Sequence, residues 1–504
     1  MHIERELKFR LPAKSASRVW KLLPGTPAAR RRTVTSIYYD TPDRRLRAAQ
    51  TALRFRRDGR RWLMSFKAAR SPETGLAQRA EWEVAVARSG FAPESLPLEE
   101  IRRETDIDLR DLIPRLAPVF ETRFARRWAE ITLSADTGID VCVDIGRIIA
   151  GRRGAPIREL ELELHNGDLD AMLRFAEQLI APLGLQLEPE SKAERGYRIA
   201  AAERPAPCKA QRPGLTRSEP LEAAMQAVLQ AALGQIEGNV YGVAHTRDPE
   251  YLHQLRVGMR RLRSALRTFG RAGVREDFLA PVADLKELTP VLGDARDWDV
   301  FCEGLVHRLK TRHDEHPALA SLVRRARARR TVARARARAL VASARFQGFL
   351  LGVARWLNAA PWRHQDPKTQ RSLARPIAAY AARAMSRAER KVLRRGDDLE
   401  WTDALQRHQL RIRIKRLRYT CEPFAALYPR GGMRRYLEKI EALQDILGEL
   451  NDIAVGRRLL REFSADRDRA AVGFMRGWFA AREDLLVGLL AAVWRSWRKT
   501  KHPW

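Results

Sequence analysis

Cysteine is scarce in this chain: four residues in 504, Cys142, Cys208, Cys302 and Cys421, with no paired spacing. That argues against a disulfide framework and gives no zinc-ligand pattern, and it fits a reducing compartment. Long hydrophobic runs are missing as well, since no uninterrupted apolar stretch reaches the roughly 18 residues a membrane-spanning helix requires. The first residues, Met1-His2-Ile3-Glu4-Arg5-Glu6, carry acids where a secretion signal has a cationic and then an apolar stretch. The expected location is the cytoplasm, with no membrane partner. Acid is the scarcer charge, 62 Asp and Glu against 94 Lys and Arg, a net charge of +32. The imbalance is local: residues 1–200 hold 36 basic and 29 acidic residues, residues 201–504 hold 58 and 33. Such a field attracts polyanions, whether nucleic acid, anionic membrane or polyphosphate, and composition does not choose among them. Core material is plentiful, because 45% of the residues are hydrophobic, which excludes a wholly disordered chain.

The length suits about two to four domains. A Pro-rich, aperiodic stretch from Glu203 through Pro213-Gly214 to Pro220 reads as a linker. Before it the chain alternates with a period of two, and after it the period is helical. The residues therefore predict an α+β or all-β first domain over 1–200, a linker over 201–217 and an all-α domain over 218–498. The helical part is duplicated. His253-Gln254-Leu255-Arg256 with Arg261-Leu262-Arg263 returns as His408-Gln409-Leu410-Arg411 with Arg416-Leu417-Arg418. Leu292-Gly293 with Asp297 returns as Leu447-Gly448 with Asp452 at the same offset, which sets repeats at about 218–345 and 370–498.

In the first domain each candidate strand puts charge on one face and apolar residues on the other. Glu4, Glu6, Lys8 and Arg10 oppose Ile3, Leu7 and Phe9, and Glu159, Glu161 and Glu163 oppose Leu160, Leu162 and Leu164. Arg54, Arg56, Lys67, Glu81 and Glu83 follow the same rule on their own strands. An open sheet with a solvated charged face accounts for any single strand. The near absence of Ser, Thr and Gln across the whole set favours a closed sheet with a charged interior. There, carboxylates suit a hard divalent cation and Arg and Lys suit phosphate oxygens.

These residues resemble the CYTH, or triphosphate tunnel metalloenzyme, family. The likeness rests on Glu4-x-Glu6-x-Lys8, Tyr38-Tyr39-Asp40-Thr41, Leu53-Arg54-Phe55-Arg56, Lys67, Glu81-x-Glu83, Asp144-x-Gly146, Glu159 to Glu163 and Ser191 to Tyr197, in the family's order over about 1–200. The resemblance implies an eight-stranded antiparallel β tunnel with flanking helices that hydrolyses a linear triphosphate with Mg2+ or Mn2+. On this likeness Glu4, Glu6, Glu161 and Glu163 are metal ligands. Lys8, Arg54, Arg56, Lys67, Arg123 and Lys192 grip phosphate oxygens, and Glu81 and Glu83 orient those cations or help hold a second metal. The family also contains thiamine triphosphatases, class IV adenylate cyclases and RNA triphosphatases. With no base- or thiamine-recognition signature in view, inorganic triphosphate is the expected substrate, and nucleotide or RNA triphosphate processing is the alternative.

In the second domain His253, Arg256, Arg260, Arg263 and Arg267 fall within an arc of about 80° on a helix. His408, Arg411, Lys415 and Arg418 repeat the stripe, with Glu422 where the first copy has Arg267. A solvated basic face is one reading, but the first stripe lacks the interspersed acids such faces carry. The doubled pattern resembles the CHAD domain, which implies two helical bundles binding inorganic polyphosphate, and an association with polyphosphate granules. The expected alternative is a polyphosphate-binding protein with a weak or inactive tunnel. Asp297 and Asp452 are expected to cap helices or serve structural roles rather than orient arginines. The run Arg324 to Arg338 has eight arginines and no acid, and is either a solvated helix or added polyanion surface. No zinc finger, RRM or KH signature points to sequence-specific nucleic-acid reading.

Overall fold

The computed structural model describes residues 2–25, 27–69, 77–87, 90–306, 317–463 and 469–504. They form two compact units, one of Met1–Ala206 with Ala342–Ala360, the other of Pro207–Val341 with Pro361–Trp504.

The first unit is a barrel with its charge inside. Its strands are β1 (His2–Arg10), β2 (Arg30–Asp40), β3 (Thr51–Asp58), β4 (Arg61–Ala69), β5 (Ala77–Val86), β6 (Ala117–Ser134), β7 (Thr137–Ala150) and β8 (Arg153–Asn166). The order is β5-β4-β3-β2-β6-β7-β8-β1, and β1 pairs back onto β5, so the antiparallel ring closes without a free edge. A two-residue strand, β9 (Gln186–Leu187), joins β1. Alternation turns Leu7, Phe9, Val141, Leu160 and Leu162 outward, where they are buried under the helix Leu169–Leu183. On the other flank Leu53, Phe66 and Trp82 are covered by Ile101 of the helix Leu98–Thr105. The apolar faces thus meet helices, and the inward faces are free to carry charge.

Two local devices aim inward side chains. Asp40 is fully buried and accepts hydrogen bonds from the backbone of Thr41, Leu46 and Arg47, fixing the turn after β2. Ser191 and Glu194 form a reciprocal capping box at the start of the helix Lys192–Ala200, which holds Lys192 on its first turn. Gly196 lets that helix approach β6, because a Cβ there would lie 2.0 Å from the Phe120 ring.

One helix of this unit comes from between the two expected repeats. In Ala344–Ala359, Leu351 is fully buried in the outer apolar layer with Leu7 and Leu160, and the Gln347 side chain accepts from the Leu187 N–H at 2.8 Å. Arg355 pairs with Glu177 of the helix Leu169–Leu183. Leu351→Ala is therefore expected to destabilise the barrel by about 2–5 kcal/mol. Hydrogen exchange at β1 and β8 amides in the full chain measures this, with Leu489→Ala, at an exposed leucine, unchanged.

The second unit is built of helices. Leu221–His245, Pro249–Phe269, Leu279–Val300 and Pro317–Ala342 are followed by Ile377–Asp397, Ala404–Phe424, Arg430–Leu460 and Arg469–Arg498. Asp248 and Asp403 cap the two basic helices, each five residues before the motif histidine. The two basic helices also touch: Arg261 donates to Glu422 at 2.8 Å. Among the described residues no helix is long and apolar enough to cross a membrane.

Candidate functional sites

The barrel interior is a cavity of about 610 Å³ lined by Glu4, Glu6, Lys8, Arg54, Arg56, Lys67, Glu81, Glu83, Glu161, Glu163 and Lys192. Eleven of the twelve residues expected in the tunnel therefore meet in one space. Register sets Glu6 beside Glu163 and Lys8 beside Glu161 across β1 and β8. Lys67 Nζ lies 2.7 Å from Glu4 and 3.1 Å from Glu81, and Arg54 Nη2 lies 3.0 Å from Glu81. Glu83 stands 3.9 Å from Arg54. Glu81 thus holds Arg54 and Lys67 in place. Arg56 is held by Asp58 at 3.0 Å.

Arg123 does not reach this space. Its side chain is 62% exposed and pairs with Glu121 on the outer face of β6. The cation of β6 that lines the cavity is Arg126. Its Nε and Nη2 bind Asp144 at 2.7 and 2.6 Å, and Nη2 also reaches Glu161 at 2.6 Å. The choice of Arg123 failed on strand parity, since a three-residue step crosses to the other face. Lys192 is more enclosed than expected, bound by Asp144 at 2.9 Å, Glu159 at 2.7 Å and Glu161.

Burial opposes charge on every carboxylate here, and the neighbours decide which stays ionised. At Glu4 that penalty is overcome by Lys67, Lys8 and Arg79, which hold it down at about 2. Glu161 is likewise driven well below the ordinary carboxylate range by Lys192 and Arg126. Glu6 goes the other way, to about 8, through burial and the charges of Glu161 and Glu4. Glu163 is pushed to about 7 by burial and by Glu4 and Glu81. Among the described residues no three His, Cys, Asp or Glu side chains are gathered to hold a metal ion as they stand. The donor chemistry fits one nonetheless: Glu6 and Glu163, adjacent in register, are pushed by burial and neighbouring carboxylates to hold their protons, which a hard divalent cation bound through oxygen donors would displace.

The helical unit gathers a different site. His253, Arg260, Lys415 and Arg418 line a cavity of about 600 Å³, joined by Lys209 and Arg212 of the linker, which the sequence pattern did not single out. Burial and repulsion from Arg260, Arg296 and Arg411 bring Arg256 down to about 10. Burial and the charges of Arg411 and Arg260 bring Lys415 to about 7. Nε and Nη1 of Arg256 and Nε of Arg411 are buried with no hydrogen-bond partner among the described residues. Arg256 rests on the Leu-Gly motif, its Nη1 3.0 Å from where a Cβ on Gly293 would lie. Two crowded guanidinium groups with buried, unaccepted donors have the chemistry to hold an anion.

Several expected members of the stripes serve elsewhere. Arg263 donates to Leu285 O at 2.6 Å and Thr289 Oγ1 at 3.0 Å, which ties two helices together. Arg267 and His408 are exposed. His253 is kept neutral, at about 4, by burial and by Arg296 and Arg260. Neither Asp297 nor Asp452 is an N-cap, because each lies beyond the first turn of its helix, Leu279–Val300 or Arg430–Leu460. Asp297 attracts Arg256 and pairs with Arg458 at 2.7 Å, and Asp452 attracts Arg411. The run Arg324 to Arg338 turns Ala326, Ala333 and Ala337 inward, and Arg330 and Arg334 pair with Glu303 and Asp299 at 2.7 and 2.6 Å, so these arginines knit the bundle.

Two known families match the chain. The CYTH domain model matches residues 2–197 and the CHAD domain model matches residues 227–461. An inorganic triphosphatase of Haemophilus influenzae is 31% identical over 171 residues, 32% of this chain and 45% of that protein, so the chain spans less than half of that relative's length. The crystal structure of the CHAD domain from the plant Ricinus communis aligns with a TM-score of 0.52 at 30% identity, covering 59% of this chain and 99% of that one.

Proposed function

The chain belongs to the CYTH and CHAD domain families, and on that premise we propose that its barrel hydrolyses inorganic triphosphate with a divalent metal. Mg2+ is the first choice and Mn2+ the alternative. The helical unit binds inorganic polyphosphate, and the cytoplasm, at polyphosphate granules, is the proposed location. The observation that supports the barrel reading is the closed lumen itself, where Lys8, Arg54, Arg56, Lys67, Arg126 and Lys192 face one space with Glu6 and Glu163, the two carboxylates whose neighbours push them up. Lys8, Arg54, Arg56, Lys67, Arg126 and Lys192 exchange carboxylate partners for phosphate oxygens as the anion enters, and neutralise charge on the transferred group. Glu81 keeps Arg54 and Lys67 oriented during that exchange. A water held by a tunnel carboxylate attacks the terminal phosphorus in line, the bond from that phosphorus to the bridging oxygen breaks, pyrophosphate leaves with the bonding pair, and the water's proton passes to a carboxylate oxygen. Glu4, Glu6, Glu161 and Glu163 would hold the metal, which supplies charge neutralisation at the phosphoryl oxygens.

Phosphate release from tripolyphosphate by the full chain tests the reading. Fast release with Mg2+, lost in EDTA and exceeding that from ATP, is expected. A folded chain that releases none, yet retains polyphosphate, would leave only the binding function.

Lys415 gives the helical site a pH signature. Burial among arginines lowers its folded value to about 7, so the free site is neutral there above that pH, whereas an unfolded lysine stays protonated to about 10. A bound polyanion favours the protonated form. Polyphosphate affinity of the full chain should therefore fall by about tenfold as pH rises through 7 to 9, with proton uptake on binding near pH 7. Lys415→Arg should flatten the profile, and an equal slope in that variant would discount Lys415.

A further inference from the structure

A second electropositive surface lies on the helical unit, outside the stripes described above. On the helix Ile377–Asp397, Arg383, Arg387, Lys391 and Arg394 share an arc of about 80° and cover about 16 Å of the axis. The acid within that span, Glu389, is turned away and buried, bound by the Tyr436 hydroxyl at 2.7 Å. The neighbouring helix Ala404–Phe424 adds Arg413 and Arg416, which lie on a different face from Arg411 and Lys415. Arg267 and Arg271 add to it from the end of the first basic helix. Of these eight side chains six are exposed and two half-buried, and none forms an ion pair or a side-chain hydrogen bond among the described residues. They repel one another: a little burial together with Arg271, Arg413, Arg416 and Arg394 lowers Lys391, and burial with Arg267 and Arg413 lowers Arg416.

Charge runs on from the anion cleft to this face. Arg263 sits in the field of Arg260 on the cleft side and of Arg267 and Arg416 on the other. We propose that this face is a second track for linear polyphosphate, continuous with the cleft, so that long chains occupy both and short chains the cleft alone. This rests on the polyphosphate reading of the helical unit and adds chain-length selection to it. Phosphate alone is what the face can read. Tyr380 of the helix Ile377–Asp397 is buried with its hydroxyl on Thr268, Tyr419 lines the cleft cavity and Phe424 is buried, so none of them stacks a nucleobase here.

The test uses the full chain with Arg383→Gln, Arg387→Gln, Lys391→Gln and Arg394→Gln combined, all outside the cleft and the tunnel. The probes are long linear polyphosphate, a short linear polyphosphate and single-stranded RNA, each titrated over a range of salt in EDTA, with saturating tripolyphosphate present to fill the tunnel. We expect the variant to bind long polyphosphate at least about tenfold more weakly, with a salt slope smaller by about three, while short-chain affinity stays within about twofold. Equal long-chain affinity and slope in the two proteins would overturn the second track and leave the cleft reading intact. Failure of the unaltered chain to bind either phosphate polymer would overturn the polyphosphate reading itself. RNA that binds as tightly as polyphosphate and loses as much in the variant would make the face a nucleic-acid surface and overturn the proposal.

Discussion

Arg126→Ala is expected to lower kcat/KM for tripolyphosphate by about a hundred- to a thousandfold, whereas Arg123→Ala, three residues away, should leave it within about twofold. The contrast follows from strand parity. Arg126 is held bidentate by Asp144 and again by Glu161, so its guanidinium is fixed before any substrate arrives. Burial works against its charge, but Asp144 and Glu161 more than offset that, and the group stays charged throughout the working range. A cation already oriented in an enclosed lumen loses little on meeting a phosphate, which is why its removal costs more in the transition state than in binding. Removing it also leaves the fully buried Asp144 with Lys192 as its remaining cation, so activity must be read beside the unfolding midpoint. Arg126→Lys separates the two effects, since it keeps the charge and loses the fork. A recovered midpoint with kcat still depressed assigns the loss to guanidinium geometry. An Arg126→Ala protein that turns over normally would show that the cations of β1, β3 and β4 suffice.

Most of the barrel was legible because its strands write their faces in two alphabets. Where one face is nearly pure Glu, Arg and Lys and the other pure Leu, Phe and Val, only a closed sheet with helices outside buries the apolar side and confines the charge. Arg123 went astray because Phe124, Arg126 and Trp128 share one face of β6 while Arg127 is basic on the other, so the local pattern does not reveal which side is inward. The pairing that settles it is across the hairpin: Arg126 stands opposite Asp144, the acid of the Asp144-x-Gly146 motif, and an inward acid demands a cation beside it. The helix Ala344–Ala359 was illegible as a barrel element for another reason. Nothing local marks a helix between two helical repeats as serving a different core. In the repeats, periodicity found the stripes but not their division of labour. Arg263 and Arg411 look alike in sequence, yet one meets a carbonyl and a hydroxyl and the other meets no hydrogen-bond acceptor at its Nε, a difference set by the facing helix.

Arg256→Gln combined with Arg411→Gln is expected to weaken polyphosphate binding by at least about a hundredfold without lowering Tm. Arg256 offers two buried nitrogen donors and Arg411 one that no described group accepts, so each substitution removes a charge-assisted contact to a phosphate oxygen, and two such losses reach that magnitude. The stability sign runs opposite to that of an ordinary buried ion. Arg256 is lowered by burial and by Arg260, meaning the folded site disfavours the charge more than the unfolded chain does. Asp297 and Asp452 attract these arginines but are themselves raised by burial, so they relieve only part of the strain. A neutral side chain of similar reach therefore removes repulsion, and Tm should hold or rise. Charge reversal to Glu at both positions would abolish retention while creating new pairs with Arg260 and Arg296. Binding lost together with an unchanged or higher Tm identifies a site built for an anion at the expense of the fold. Retention that survives both variants would shift polyphosphate binding to the outer track on the helix Ile377–Asp397, and loss of Tm in step with binding would make the two arginines structural.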